Sequence, residues 1–299
     1  MSLTERIGWI GPGSMGEPMA ARLRDAGYHL TVCGSGRRDL SNVAARIGAK
    51  LAASARELAE QADIFFTMIP NGEILLSIAG QFEGLDMHGK LWVDMSTVDP
   101  ASSAAAAARM DALGGHFLRA PVTGSTHYAK EGTLGILVSG REEDFSRALP
   151  LLQVLGNRQT YLGSAEEARQ MKILINMLLA QELQALSEAL TVGKKLGLPW
   201  DAMLELIADS AAGAPIYKYK CSTLKALDFN PTSTGYNMHK DMKMAMELAA
   251  SVNAAVPTAA ITMQMYNALM TMGLARLDNT AVYLVNERMN GAFPGKTAE

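Results

Sequence analysis

The stretch Ile7-Gly8-Trp9-Ile10-Gly11-Pro12-Gly13-Ser14-Met15-Gly16-Glu17-Pro18-Met19-Ala20 decides how this chain folds. A short apolar run stops at Gly11, three glycines follow at the spacing G-x-G-x-x-G, and a helical pattern begins at once. In a strand–turn–helix unit each glycine has a separate task. Gly11 lets the chain turn tightly off the strand. Gly13 leaves no Cβ in the way of a pyrophosphate, and Gly16 lets the helix lie close to the strand. The phosphates would then face the amide-rich, positive end of the helix. The turn predicts a dinucleotide site that includes Gly11, Pro12, Gly13, Ser14, Met15 and Gly16. A glycine-rich turn with no ligand is the plainer reading; the order strand, turn, helix favours the nucleotide.

Outward from this unit the pattern alternates. Residues 29–33, 64–68, 91–94 and 116–119 read as short strands rich in apolar and β-branched residues, with helical patterns between them. Asp99-Pro100 ahead of an alanine run is a capped helix start. Residues 133–139 and 160–162 read as two late strands. The alternation predicts an α/β Rossmann domain with a mostly parallel, doubly wound sheet covered on both faces. Gly163 ends it. Ser164 and Glu167 form an S-x-x-E capping box, which predicts a helix to about Leu196. Only helical patterns follow. The expected division is therefore 1–163 for the nucleotide domain and 164–299 for an all-α domain built around the long joining helix. That helix is apolar on most faces, so it is expected to be buried, between domains or against a second subunit.

Composition bounds the function. With 299 residues and 48% hydrophobic content the chain can bury a large core. A formal charge of −3, with both signs spread out, offers no footprint for nucleic acid. The apolar run 173–180 is broken by Asn176 and too short for a bilayer, so no membrane partner is expected. Glu5 and Arg6 lead straight into the first strand, and the two cysteines, Cys33 and Cys221, lack metal or redox spacing. A cytoplasmic protein without a metal site is expected. Ten of the 19 methionines lie from Met203 onward, where helical spacing makes Met238, Met242 and Met246 core or interface filler.

NAD sites use an acid about 20 residues past the glycine turn to bind the ribose hydroxyls. Here the second strand runs into Cys33-Gly34-Ser35-Gly36-Arg37-Arg38, and the first acid, Asp39, comes late. Ser35, Arg37 and Arg38 suit a 2′-phosphate, because guanidinium matches it in charge and geometry. NADP(H) is expected over NAD(H), with NAD(H) possible. Met68 and Pro70, at and just past the end of the strand 64–68, join the cofactor set.

Three further stretches suit chemistry at the sheet's C-terminal edge, where open α/β sheets bind ligands. Asp94-Met95-Ser96-Thr97 follows one strand, and Pro121-Val122-Thr123-Gly124-Ser125 follows the next, with hydroxyls and amides suited to a carboxylate. Lys172 and Asn176 stand four apart on the joining helix and share a face. A desolvated lysine can give a proton to a developing alkoxide or take one from an alcohol. A lysine that snorkels to solvent is the competing reading.

In these motifs, together with His239-Lys240-Asp241, the chain resembles the β-hydroxyacid dehydrogenases, the group of 3-hydroxyisobutyrate dehydrogenase and tartronate semialdehyde reductase. The resemblance covers nearly the whole chain. It implies Lys172 as the catalytic residue and Asn176, Thr123, Gly124 and Ser125 around a small carboxylate substrate. It also implies Thr97 near nicotinamide, Lys240 over the cofactor, and a homodimer or homotetramer. The implied reaction interconverts a β-hydroxy acid and its semialdehyde. Reduction of an imine on the same fold is one alternative, and a non-catalytic NADP-binding sensor or scaffold is another. Several positions depart from the family pattern, among them Ile175, where a second asparagine usually precedes Asn176. Arg119 stands where Asp is usual, Ser125 where Gly is usual, and Glu166-Glu167-Ala168 where a glycine pair precedes the lysine.

Overall fold

The computed structural model describes residues 5–35 and 39–291. The chain divides into two compact units, Met1–Lys172 and Ile173–Glu299.

The first unit opens with β1 (Ile7–Ile10), α1 (Gly16–Asp25), β2 (Leu30–Cys33), α2 (Ser41–Ile47), β3 (Lys50–Leu51) and α3 (Ala55–Gln61). It continues with β4 (Ile64–Thr67), α4 (Gly72–Gln81), β5 (Leu91–Asp94), α5 (Pro100–Ala112) and β6 (His116–Arg119). It closes with β7 (Val122–Thr123), α6 (Thr126–Glu131), β8 (Leu134–Ser139), α7 (Glu142–Leu155) and β9 (Gly156–Gly163). The described strands form one sheet in the order β3-β2-β1-β4-β5-β6-β8-β7, with β9 on β8. Strands β3 through β6 run parallel, β8 runs antiparallel to β6 and β7, and β9 is parallel to β8.

Because successive side chains of a strand point to opposite faces, each strand serves two cores. Ile7 and Trp9 pack with α1, α2 and α7 through Met19, Leu23, Ile47 and Leu151. Ile10 and Phe65 pack with α3, α4 and α5 through Leu58, Ile78 and Met110. This is the doubly wound arrangement expected from the alternation. Its helices start where the sequence places stops for the backbone: Ser54, Asn71 and Asp99 each accept a hydrogen bond from the third residue on.

The joining helix α8 (Glu167–Lys195) crosses the division. The first unit runs past Gly163 through Lys172 because the root of α8 is bonded to the strand ends. The helix begins at Glu167, not at a Ser164 cap; the Glu167 carboxylate turns back to the Ala165 amide at 2.7 Å. The second unit packs the rest of α8 with α9 (Trp200–Asp209), α10 (Pro215–Lys225), α11 (Gly235–Ser251), α12 (Pro257–Thr271) and α13 (Val282–Met289). Ala180 and Leu183 of α8 meet Met238, Met242, Tyr266 and Val285, while Leu186 and Leu190 meet Leu204, Tyr217 and Leu224. Along α8, Leu174, Leu178 and Val192 are 44%, 57% and 59% exposed in the single chain. Two buried polar clusters tie this unit, Lys220 to Asp278, and Gln184 to Asn286. Among the described residues no helix is long and apolar enough to cross a membrane.

Candidate active site

The cofactor turn is built by three different glycine geometries. Gly11 has φ +85°, and a Cβ on it would lie 2.5 Å from the Met68 carbonyl oxygen. A Cβ on Gly16 would lie 2.3 Å from the Gly11 oxygen and 2.8 Å from the Trp9 indole nitrogen. A Cβ on Gly13 would meet nothing within 4 Å. Two glycines are thus required by the protein itself, while the third leaves open space for something else. The N-cap residue of α1, Met15, supplies no side-chain cap. The Glu17 amide is taken by Gly13 O at 2.8 Å and Pro18 has no N–H, so it is the positive end of the helix dipole, facing the space beside Gly13, that fits a pyrophosphate.

The ends of β1 and β4 stay paired past the strands: the Met68 amide donates to Ile10 O at 3.0 Å. Met68 therefore sits against the glycine turn, with Pro70 exposed just beyond it. Ser35 is exposed two residues past Cys33, whose carbonyl accepts from the Gly11 amide. Arg37 and Arg38 lie outside the described residues. The first described acid after β2, Asp39, accepts hydrogen bonds from the Ser41 amide and hydroxyl at 2.9 and 2.7 Å. These bonds hold its carboxyl below the usual range.

At the neighbouring strand ends, Asp94 closes β5 in a fully buried position. Its Oδ1 accepts from the Thr67 hydroxyl and, at 2.6 Å, from the Ser96 hydroxyl. Ser96 in turn accepts from the Ile69 amide at 3.0 Å. Its Oδ2 pairs with Arg169 of α8, whose guanidinium also donates to Ser96 O at 2.5 Å and Ser103 Oγ at 3.2 Å. On β6, Arg119 bonds Glu166 Oε1 through Nε at 2.8 Å and Nη2 at 2.6 Å. On β8, Ser139 accepts from the Ala168 amide and donates to Ala165 O. Three strand ends thus hold the root of the helix that carries Lys172, itself half-buried. Thr97 follows Ser96 directly and is also half-buried.

Thr123 ends β7, with its hydroxyl over the Gly135 carbonyl at 3.4 Å. Gly124 has φ +126°, and a Cβ there would lie 2.9 Å from Leu134, so this turn requires glycine. Ser125 precedes α6 in extended conformation and makes no cap; its Oγ is buried.

In the second unit Asn176 and Asp241 are buried at 8% and 6% exposure, and Asn176 Nδ2 donates to Asp241 Oδ2 at 2.6 Å. Asp241 also pairs with Lys240 at 2.9 Å. One carboxylate therefore orients the amide and the ammonium that the sequence singled out.

Within the first unit the structure gathers Gly11 to Gly16, Ser35, Met68, Pro70, Thr97, and Thr123 to Ser125 along the C-terminal sheet edge. Within the second it joins Asn176 and Lys240. Sequence reading missed Arg169, Glu166 and Asp241 as members of these clusters. An arginine at i−3 from the lysine was the one local signal for Arg169; Asp241 lies 65 residues from its partner.

Comparison with known proteins bears on this arrangement. The family model for the NAD-binding domain of 6-phosphogluconate dehydrogenase matches residues 6–163. The model for NAD-binding of NADP-dependent 3-hydroxyisobutyrate dehydrogenase matches residues 167–285. The chain belongs to the β-hydroxyacid dehydrogenases. It is therefore an NAD(P)-dependent oxidoreductase acting on hydroxy acids. Glyoxylate/succinic semialdehyde reductase 2, chloroplastic, of Arabidopsis thaliana is 31% identical over 93% of this chain and 78% of its own. The 2-hydroxy-3-oxopropionate reductase of Escherichia coli (strain K12) is 31% identical over 95% of this chain and 98% of its own. Among solved structures, Mycobacterium tuberculosis 3-hydroxyisobutyrate dehydrogenase with L-serine superposes with a TM-score of 0.85 at 27% identity, over 94% of this chain and 99% of that one.

Proposed function

We propose that this member of the family interconverts a small β-hydroxy acid and its semialdehyde with NADP(H), and that Lys172 carries the proton. The observation that carries the reading is the root of α8. Lys172 stands one short turn past Arg169, on a segment bonded to the ends of β5, β6 and β8, and the glycine turn ends another strand of the same sheet. A bound nicotinamide supplies or accepts the hydride. Gly13 and the first turn of α1 would hold its pyrophosphate, with Met68 and Thr97 toward the reacting end. In the reducing direction Lys172 donates a proton to the carbonyl oxygen as negative charge develops there. In the oxidising direction its neutral amine takes the hydroxyl proton. Thr123, Gly124 and Ser125 supply hydroxyl and amide donors for the substrate carboxylate, and Asn176 holds the substrate oxygen. Lys240, held by Asp241, closes over the cofactor.

Asp39 supports NADP(H). It is the first acid after β2 and comes six residues past Cys33, later than the strand-end acid of an NAD site, with its Oδ1 turned to the Ser41 amide and hydroxyl. The semialdehyde reductases among the relatives support a short carboxylate-bearing aldehyde as substrate. The exposed ridge Leu174, Leu178 and Val192 supports burial of α8 against a second copy in a homodimer or homotetramer.

The test is Lys172→Ala assayed against C3–C5 semialdehydes and cyclic imines with NADPH and NADH. Loss of a general acid lowers turnover by ~10²–10⁴-fold and leaves NADPH binding intact. A near-normal rate would refute the assignment, and imine turnover by the wild type would shift the chemistry.

A further inference from the structure

Two of the departures from the family pattern, Arg119 and Glu166, turn out to be one interaction, and it borders a second. Asp94 and Arg119 are register partners at the ends of the parallel strands β5 and β6. Glu166 and Arg169 sit three residues apart at the root of α8. Glu166 reaches Arg119 and Arg169 reaches Asp94, so charges alternate around a four-membered cluster joining two strands to one helix. Every member is close to dry: the side chains are 0% exposed for Asp94, 1% for Arg169, 10% for Arg119 and 13% for Glu166. Phe117 covers Arg119 from one side, with the guanidinium carbon 5.1 Å from the ring centre.

A buried ion pair is a weak way to gain stability, since apolar side chains of similar volume often serve as well or better. What such a cluster supplies that apolar packing does not is direction. The Arg169 fork is engaged at Nε, Nη1 and Nη2, with Asp94 Oδ2, Asp94 O, Ser96 O and Ser103 Oγ as acceptors. A planar fork with that many fixed acceptors tolerates neither rotation nor sliding of the helix. In an α-helix a slip of one residue turns each side chain by about 100° and shifts it by about 1.5 Å. Lys172 lies three residues past Arg169, so its azimuth and height are set by this anchor. The same acceptor, Ser96 O, belongs to the residue before Thr97, so one guanidinium ties the lysine's helix to the Thr97 loop.

We infer that Asp94, Arg119, Glu166 and Arg169 form a positioning device for the Lys172 ammonium, with Arg169 its central member. This rests on the reading of Lys172 as the proton carrier, and the experiment separates the two. Three full-length proteins are compared: Arg169→Lys, which keeps the charge and loses the fork; the neutral pair Arg119→Gln with Glu166→Gln, which leaves no uncompensated charge; and Lys172→Ala. For each, kcat, KM, NADPH affinity by fluorescence titration and thermal midpoint are measured.

Misplacement of a reacting group by about 1 Å lowers rate by up to ~10²-fold. The expected result is a roughly 10- to 100-fold fall in kcat for Arg169→Lys and a smaller fall for the neutral pair. NADPH affinity and the substrate KM stay within about twofold, on the same principle that only the reacting group has moved. Wild-type kcat in both variants, beside an inactive Lys172→Ala, would overturn the positioning role and leave the lysine reading standing. Equal losses in kcat, NADPH affinity and thermal midpoint would overturn it as well, because the cluster would then be holding the fold alone. Full turnover by Lys172→Ala would remove the proton-carrier reading and the positioning role with it.

Discussion

The glycine turn makes a prediction in which two neighbouring glycines fail in opposite ways. Consider Gly13→Ala and Gly16→Ala. At Gly13 the new methyl meets nothing within 4 Å and the backbone is not in the left-handed region, so the fold has no reason to object. Stability should stay within about ±0.5 kcal/mol, as for an open surface site. The methyl does stand where a phosphate must approach the amides. Losing one charge-assisted hydrogen bond, about 1.5–3 kcal/mol, raises the NADPH Kd roughly 10- to 100-fold. At Gly16 the methyl lies 2.3 Å from the Gly11 carbonyl oxygen and 2.8 Å from the Trp9 indole nitrogen. A backbone oxygen cannot rotate away, and Trp9 is fully buried against Phe66, with ring centres 5.3 Å apart. Alanine's better helix propensity, up to about 1 kcal/mol, offsets only part of the strain. A net loss of about 2–3 kcal/mol, within the range for overpacking, lowers the melting temperature by about 4–12 °C in a protein of this size. Differential scanning calorimetry of the apo protein and NADPH titration by nicotinamide fluorescence separate the two effects. Gly13→Ala binding NADPH like the wild type, or Gly16→Ala melting with it, would refute the assignment of tasks to the glycines.

Three further outcomes follow. Arg37→Ala with Arg38→Ala should weaken NADPH at least 10-fold more than NADH, the loss of about one charge-assisted hydrogen bond; equal losses in titrations with both cofactors would leave the pair without a role at the 2′-phosphate. Asp278→Asn leaves the Lys220 ammonium buried without its counter-ion and should cost about 3–5 kcal/mol in urea unfolding. Burial alone would raise the Asp278 carboxyl, but the hydrogen bonds and charge of Lys220, with the Thr280 and Thr232 amides, hold it below its ordinary value. Its contribution is therefore complete above the unfolded value of about 3.9 and is lost as pH falls through the lower folded value. Wild type should lose more stability than Asp278→Asn on acidification below that point, and parallel curves would refute this. Finally, burial pushes the Cys33 thiol up to about 12. A disulfide reagent at pH 8 should modify half-buried Cys221 and reach Cys33 only after denaturant is added; fast reaction of Cys33 in the native protein would contradict its burial.

Local pattern and global placement divided the information in this chain unevenly. Strands β1, β2, β4, β5 and β6 were legible because each is a short apolar run bounded by turn residues. The helix start at Asp99 was legible from capping chemistry confined to a few neighbours, and Ser54 and Asn71 cap their helices in the same way. The tasks of Gly11, Gly13 and Gly16 were legible for the same reason, since a backbone turn depends only on adjacent residues. β3 and β7 are two residues long and carry no period. The start of α8 was misplaced because Glu167 caps Ala165 instead of completing a box with Ser164.

The sequence alone determined the Rossmann alternation, the change to an all-helical half, and the residue types offered to cofactor and substrate, since each is written in near neighbours and periodicity. Only the tertiary structure decided that Arg119 compensates Glu166, that Arg169 is wholly buried on Asp94, and that Asp241 orients both Asn176 and Lys240. These pairs lie 47, 75 and 65 residues apart along the chain. Charge carries no label for a distant partner, and burial turns an ordinary surface residue into a fixed one only when the fold brings its counter-ion within reach.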